Sequence, residues 1–226
     1  MGLYLTLKES KRRGIDPEFF LDFFIFGIPA AILCSRIYYV IFRWELYQKR
    51  PLKIFAFREG GLAIHGAIIG GLAVLIYLVK RRKVNLGTAA DILAPPLVLG
   101  QAIGRWGNFI NQEAHGGIVS EEFINIFPGF IKNQMFIHGH YYNPAFLYES
   151  IWDLLVFFFL MWLRRRNVKN GDIFLSYIIG YSLGRFFIEA IRTDSLMLGP
   201  IRVAQLISII FILSGSGLIY WRHRKG

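Results

Sequence analysis

Six apolar runs, each close to the length that crosses a bilayer, constrain this 226-residue chain more than any other feature. They cover roughly 19–42, 60–79, 89–111, 145–163, 172–190 and 200–221. A bilayer's hydrocarbon core is about 30 Å thick and a helix rises about 1.5 Å per residue, so about 20 apolar residues span it. None of the runs keeps a period-two alternation, which argues against barrel strands and for helices, the other structure that satisfies its own backbone in lipid. The expected fold class is therefore all-α: a polytopic integral membrane helical bundle, one membrane domain over 1–226, with six full spans. The composition agrees, because 54% hydrophobic residues and a mean hydropathy of +0.43 exceed what a soluble domain of this size carries.

The net charge of +11 first raises the question of nucleic acid. Here the basic residues form short clusters between apolar runs, with no basic stripe carrying interleaved aromatics, so no nucleic-acid partner is expected. The clusters report topology instead. Segments 8–13, 80–83, 164–169 and 222–226 hold 15 Lys and Arg, while the alternate segments 43–58, 112–144 and 191–199 hold 7. The richer side is cytoplasmic, which places both termini inside. The exception is loop 43–58, where Arg43, Lys49, Arg50, Lys53 and Arg58 make an outward segment basic. The stub 1–18, a short apolar stretch before Lys8, Lys11, Arg12 and Arg13, reads as the end of a first helix whose front is missing. The single cysteine, Cys34, lies in an apolar run and reads as a small buried hydrophobe.

The longest loop, about 112–144, faces outward and forms a small head; a connection of this length is usually functional. His115, His138 and His140 fall in or beside it, yet they lack metal-ligand spacing, so neither metal nor cofactor is assigned. No internal repeat is evident, which weakens a transporter built on inverted repeats.

Polar groups inside apolar spans are the residues that need a reason, since a charge at mid-bilayer costs about 2.5–3.5 kcal/mol even on insertion scales. Asp22, Arg36, His65, Asp91, Arg105, Glu149, Asp153, Arg185 and Glu189 are of this kind. In Gly104-Arg105-Trp106-Gly107-Asn108-Phe109-Ile110-Asn111-Gln112-Glu113, helical spacing puts Arg105, Asn108 and either Asn111 or Gln112 on one face, with Glu113 where the helix emerges. A cation, amides and a carboxylate suit a phosphate ester flanked by hydroxyls. The same set would also serve as a buried network joining helices. Arg185 and Glu189, four apart, can pair within one helix, with Arg192 three further on. Arg105 and Arg185 on neighbouring helices would make a phosphate clamp. His65 lies among Gly60, Gly61, Gly66, Gly70 and Gly71, where helices or a ligand can approach closely. It reads as a packing residue or as a proton acceptor near neutral pH. Glu149, after Asn143-Pro144, reads as a partnered carboxylate near a helix start. Asp91 and Asp153 read as partners of basic residues or of other helices, Arg36 likewise, and none is assigned chemistry.

At these residues the chain resembles the prolipoprotein diacylglyceryl transferase family. The run Gly104-Arg105-x-Gly107-Asn108-Phe109-x-Asn111-x-Glu113-x-x-Gly116 matches the family's defining motif at every fixed position. The His65-Gly66 pair, Leu147-Tyr148-Glu149, and Gly184-Arg185-Phe186 through Glu189 and Arg192 look like further family motifs in the expected order. The resemblance implies a multi-pass enzyme of the bacterial plasma membrane, with its site toward the extracytoplasmic side and its C-terminus cytoplasmic. The implied donor is phosphatidylglycerol, held among membrane lipids. The implied acceptor is the lipobox cysteine thiol of a prolipoprotein signal peptide. His65, Arg105 and Arg185 are the expected catalytic residues; Arg105, Asn108, Asn111, Glu113, Gly116, Arg185 and Glu189 are expected to bind substrate. The donor's acyl chains imply an apolar cavity below the arginines and a lateral opening to the bilayer. Two departures stand out. The family carries a further helix with a Tyr-Gly pair before the basic turn, which would make seven spans. Asn143 also stands where many relatives have His. The rival readings are an inactive truncated relative and a membrane transporter or lipid-binding protein for an anionic solute.

Overall fold

The computed structural model describes residues 1–224, with the Arg58 side chain left aside, so Lys225 and Gly226, at the end of the C-terminal basic segment, lie outside the described residues. The described chain falls into two compact units, one of residues 4–89 and one of residues 1–3 with 90 onward.

Helix α1 (Gly2–Arg12) leads into the first unit, whose body is α2 (Pro17–Phe42) packed on α3 (Ile64–Arg82). Asp16 starts α2 by accepting from the Glu18 amide, with Pro17 in the first turn where its missing N–H costs nothing. The two helices touch backbone to backbone. A Cβ on Gly66 would overlap the Cys34 carbonyl, and one on Gly70 would come 2.5 Å from the Ala30 carbonyl oxygen. Four-residue spacing of these glycines on α3 makes this a small-residue seam of the kind membrane helices use. Ser35 ties it further, donating to the Ala63 carbonyl at 2.9 Å.

Between α2 and α3 the chain makes three short 3-10 turns (Trp44–Leu46, Pro51–Phe55, Phe57–Glu59). Arg36, which is buried, holds them together. Its guanidinium donates to the carbonyls of Ile54 (2.8 Å), Lys53 (2.6 Å), Ala56 (3.3 Å), Gly60 (2.6 Å) and Gly61 (3.0 Å). The rings of Tyr47 and Phe57 stand 5.2 and 5.6 Å away. Gly60 and Gly61 have φ of +85° and +75°, which carries the chain past Arg36 before a helix can begin. That is why α3 starts at Ile64 and not near 60 as the hydropathy implied.

Helix α4 (Leu86–Asn111) runs from the first unit into the second. There α7 (Ala145–Leu163), α8 (Asp172–Glu189) and α9 (Val203–Arg224) complete the long helices. Among the described residues five helices are long and apolar enough to cross a membrane: α2, α3, α4, α7 and α9. The sixth expected span, α8, forms over the expected residues but carries Asp172, Arg185 and Glu189 within its length. Its charges are partnered. Asp91, buried on α4, accepts from the amides of Gly171 (2.8 Å) and Phe174 (2.9 Å) at the start of α8. Asp172 meets His223 Nε2 at 2.7 Å and Arg222 at 3.1 Å. The chain is thus a membrane-embedded helical protein.

Segment 112–144 is a folded head. Strands β1 (Ile118–Val119), β2 (Phe136–Ile137) and β3 (His140–Tyr142) pair antiparallel in the order β1-β3-β2, with short helices α5 (Glu121–Ile124) and α6 (Gly129–Gln134) between them. His138 and Gly139, both at positive φ, make the two-residue turn between β2 and β3. Ile124, Ile131, Met135 and Phe146 form its core. A hairpin, β4 (Met197–Leu198) and β5 (Ile201–Arg202), precedes α9, so that helix starts at Val203 and not near 200.

Replacing Arg36 by Met should leave five carbonyls without their shared donor. A charge-assisted hydrogen bond is worth about 1.5–3 kcal/mol, so a loss of about 3 kcal/mol or more is expected. Limited proteolysis should then cut within 43–61 much faster than in the parent chain; unchanged cutting would show that Arg36 does not hold this loop.

Candidate active site

The last turns of α4 and the first turns of α7 are locked together. Phe109 stacks on Phe146 with centroids 4.5 Å apart, and Trp106 meets Phe146 edge-on at 5.4 Å. Trp106 Nε1 donates to Ser150 Oγ at 3.2 Å, and Ser150 donates to the Ala102 carbonyl at 2.9 Å. This packing puts Arg105 of α4 against Glu149 of α7.

Glu149 is the centre of the site. Only 5% of the residue is exposed, and three guanidiniums surround its carboxylate. Arg105 Nε lies 2.6 Å from Oε2, a close ion pair in which the N–H is not aligned on the oxygen as a hydrogen bond. Arg185 Nη1 and Arg192 Nη1 donate to Oε1 at 3.4 and 3.0 Å. Arg185 Nη2 also stands 2.7 Å from Glu189 Oε2, the four-apart pair expected along α8. Arg105 Nη2 reaches Tyr181 Oη at 3.5 Å. About a fifth of each of the Arg105 and Arg185 side chains stays exposed, so both retain faces for another ligand. One turn along α7, Asp153 is buried and its Oδ2 has no hydrogen-bond partner.

The expected binding residues divide into two groups. Arg105, Arg185 and Glu189 join the cluster just described. Asn108 and Asn111 both donate to Glu113 Oε1, at 3.1 and 3.3 Å, so of the two candidates for the third place on that face Asn111 takes it. Gln112 turns away at φ +54° and donates to the Gln134 carbonyl, while Gln134 returns a donor to the Phe109 and Ile110 carbonyls and caps α4. Gly116 is packed against the same region. Its amide donates to the Asn143 carbonyl at 2.9 Å, it bridges to Arg192, and a Cβ there would stand 2.8 Å from Asn143 Cβ. His65 belongs to the N-terminal unit, where its ring lies over Tyr38 with centroids 5.6 Å apart.

Arg192 follows α8 and is fixed by the same loop that holds Gly116. Thr193 donates to the His115 carbonyl at 3.3 Å, and Asp194 accepts from Arg192 Nε and Nη2 at 3.0 and 2.7 Å. Burial works against the Arg192 charge, but hydrogen bonds and attraction from Asp194 and Glu149 outweigh it and raise its pKa. Partial burial likewise pushes Asp194 up, yet Arg192 pulls its carboxyl below the usual range. The Arg202 guanidinium donates to the Glu189 carbonyl at the end of α8.

Beside the cluster lies an apolar groove of about 340 Å³ between α7 and α8, lined by Tyr148, Trp152 and Leu155 and by Gly184, Phe187 and Ile188. Trp152 lies across the glycine face of α8: Nε1 donates to the Gly180 carbonyl at 2.8 Å, and a Cβ on Gly184 would collide with its indole. The glycine before Arg185 therefore makes room for an aromatic wall of the groove.

Glu149, Arg192, Tyr181 and Asp153 were not among the site residues expected from sequence. Glu149 and Arg192 sit in recognisable motifs, but nothing local says that three arginines share one carboxylate.

Glu149→Gln should leave three guanidiniums without their common counter-charge. Breaking a buried ion pair costs about 3–5 kcal/mol, so thermal unfolding should move down by an amount matching about 3 kcal/mol or more; an unchanged midpoint would remove Glu149 from the centre of the network. A second expectation concerns pH. Because the Asp194 pKa is lowered on folding, its contribution is present above the ordinary carboxylate value of about 4 and is lost as pH falls through the lower folded value. The difference in unfolding midpoint between the parent and Asp194→Asn should accordingly be full at neutral pH and vanish in strong acid.

The described geometry can be set beside known proteins. A family model described as prolipoprotein diacylglyceryl transferase matches residues 1–221. The phosphatidylglycerol–prolipoprotein diacylglyceryl transferase of Bacillus licheniformis is 51% identical over 229 residues, covering 100% of this chain and 85% of that protein. The proteins of the same name from Geobacillus kaustophilus and Bacillus cytotoxicus are 50% and 49% identical, again over 100% of this chain and over 85% and 84% of theirs. With a family model spanning nearly its whole length and half of its residues shared with such relatives, the chain belongs to the prolipoprotein diacylglyceryl transferase family.

Proposed function

We propose that this chain is a phosphatidylglycerol–prolipoprotein diacylglyceryl transferase, an enzyme of lipoprotein biosynthesis that works on the lipobox cysteine of the precursor. The reading is carried by one observation: Arg105 and Arg185, from two helices, reach the two oxygens of a single buried carboxylate and still keep open faces. A place where two guanidiniums meet an oxyanion is chemically fit for a phosphate.

In the proposed reaction the thiol first loses its proton, for which its free pKa of about 8.5 leaves need of a base at neutral pH. The sulfur attacks the glycerol carbon that bears the phosphate. A C–S thioether bond forms, the C–O bond breaks, and its electron pair stays on the phosphate oxygen, so glycerol phosphate leaves with one more negative charge. Arg105 and Arg185 hold the phosphate and stabilise that growing charge. Asn108, Asn111 and Glu113 offer donors and acceptors to the headgroup hydroxyls or to the peptide, and Gly116 and Glu189 keep the two arginine-bearing segments in place. The groove beside Trp152 offers apolar surface to an acyl chain. His65, an exposed imidazole, is the candidate base.

The membrane is the bacterial plasma membrane. The basic ends of α3 and α9 face the cytoplasm, and the head at 112–144 with the arginine cluster faces outward.

The purified chain, given labelled phosphatidylglycerol and a lipobox peptide, should move label to the peptide; binding without transfer would identify an inactive relative instead. Arg105→Ala and Arg185→Ala should each lower transfer by about 10²–10³-fold, the scale of losing one oxyanion donor, with helix content intact. Wild-type rates in either variant would reject the clamp. His65→Asn should slow transfer by about 10²-fold or more, the scale of losing a general base. A wild-type rate in that variant would assign the proton elsewhere.

A further inference from the structure

The loop joining α2 and α3 presents a surface that the transferase reading does not use. Trp44, Leu46, Leu52 and Phe55 are 53, 60, 83 and 74% exposed. Arg43, Lys49 and Arg50 stand among them, exposed, and pair with no carboxylate among the described residues. Lys53 lies 3.3 Å from Glu59. Leaving Arg58 aside, four cations face two carboxylates, Glu45 and Glu59, over 43–59. The backbone beneath is organised by the five carbonyls gathered on Arg36, so this is a built surface, held from within by a buried cation.

In water, four large apolar side chains at such exposure would be poorly placed. At the edge of a bilayer they enter the acyl boundary while Lys and Arg reach the headgroup phosphates, the arrangement of interfacial segments. The loop is also the one basic segment on the side where positive charge is not expected, so its cations call for a partner of opposite sign.

We propose that residues 43–59 form a docking surface for anionic phospholipid headgroups, separate from the Arg105–Arg185 site. Trp44, Leu46, Leu52 and Phe55 seat it in the interface, and Arg43, Lys49 and Arg50 hold the headgroups. Its use follows from the proposed function, on which this clause alone rests: it raises the concentration of an anionic donor in the lipid around an enzyme that consumes it.

The test is lipid selectivity. The full chain is reconstituted in phosphatidylcholine vesicles, and the motionally restricted fraction of spin-labelled phosphatidylglycerol is compared with that of spin-labelled phosphatidylcholine. The parent chain should select the anionic probe, and Arg43→Gln/Lys49→Gln/Arg50→Gln should lose about five-fold or more of that selectivity, given an effect of about five-fold per basic residue at an anionic surface. Selectivity of the parent should also shrink on going from 0.1 to 1 M salt, where the screening length drops from about 10 to about 3 Å. Full selectivity in the triple variant, or an added lipobox peptide displacing the lipid probe, overturns the proposal, the second outcome giving the surface to the peptide. If the triple variant fails to insert, Lys49→Gln alone is read the same way, with a loss of up to about five-fold expected. Failure of the parent chain to transfer label would sink the proposed function and leave this lipid readout standing.

Discussion

The second unit is organised around one carboxylate that three guanidiniums share. An ionised group removed from water must find compensation nearby or give up its charge. Glu149 supplies it to Arg105 of α4, Arg185 of α8 and Arg192 of the segment after α8. The surrounding packing serves that requirement: the Trp106–Ser150–Ala102 chain sets α4 on α7, and Trp152 on Gly180 sets α7 on α8. The pairing of Gly116 with Arg192 and of Thr193 with His115 then fixes the third cation. The glycines of the motifs have steric duties here. Gly184 yields to an indole and Gly116 to Asn143, so either side chain would push an arginine-bearing segment out of place.

The first unit solves the same problem differently. Among the described residues no carboxylate neutralises Arg36; five carbonyl dipoles and two aromatic faces solvate it. At 3% exposure it has no face left for a ligand, so its charge does structural service. Arg105 and Arg185 are tied to a carboxylate but stay partly open. The contrast separates a cation that organises backbone from cations able to exchange partners, and burial with partner type tells them apart where sequence does not.

Hydropathy and helix rules placed α2, α4, α7 and α8 within a few residues, because length and apolar content are local properties. The misplaced starts of α3 and α9 have local causes that hydropathy averages away: positive φ at Gly60 and Gly61, and the hairpin over Met197–Arg202. The cost of charge in lipid likewise made Arg105, Glu149, Asp153, Arg185 and Glu189 stand out. Which charge meets which was not legible. Arg105 and Glu149 are 44 residues apart in sequence and Glu149 and Arg192 are 43 apart, whereas Arg185 and Arg192 reach Glu189 at the four- and three-residue spacings that a helix defines. Asp91, read as a partner of basic residues or of another helix, does meet another helix, accepting from two amides at the start of α8; which helix it meets was not legible.

The charge balance of the cluster bears on the chemistry proposed for it. Arg105, Arg185 and Arg192 are matched by Glu149, Glu189 and Asp194, so the site carries little net charge with which to collect anions indiscriminately. In the proposed reaction such a site would hold a phosphate diester by geometry, through the open faces of two guanidiniums, and would gain little from bulk attraction. Its advantage would grow as charge grows. On breaking of the C–O bond the phosphate would pass from one negative charge toward two, and each guanidinium would shift from its carboxylate toward the new oxyanion. Interactions that strengthen only along that path lower the barrier without tightening the ground state. A network of shared counter-ions is suited to this, because every cation in it begins with a partner and none is paired so completely that it cannot move part of its interaction to the leaving group.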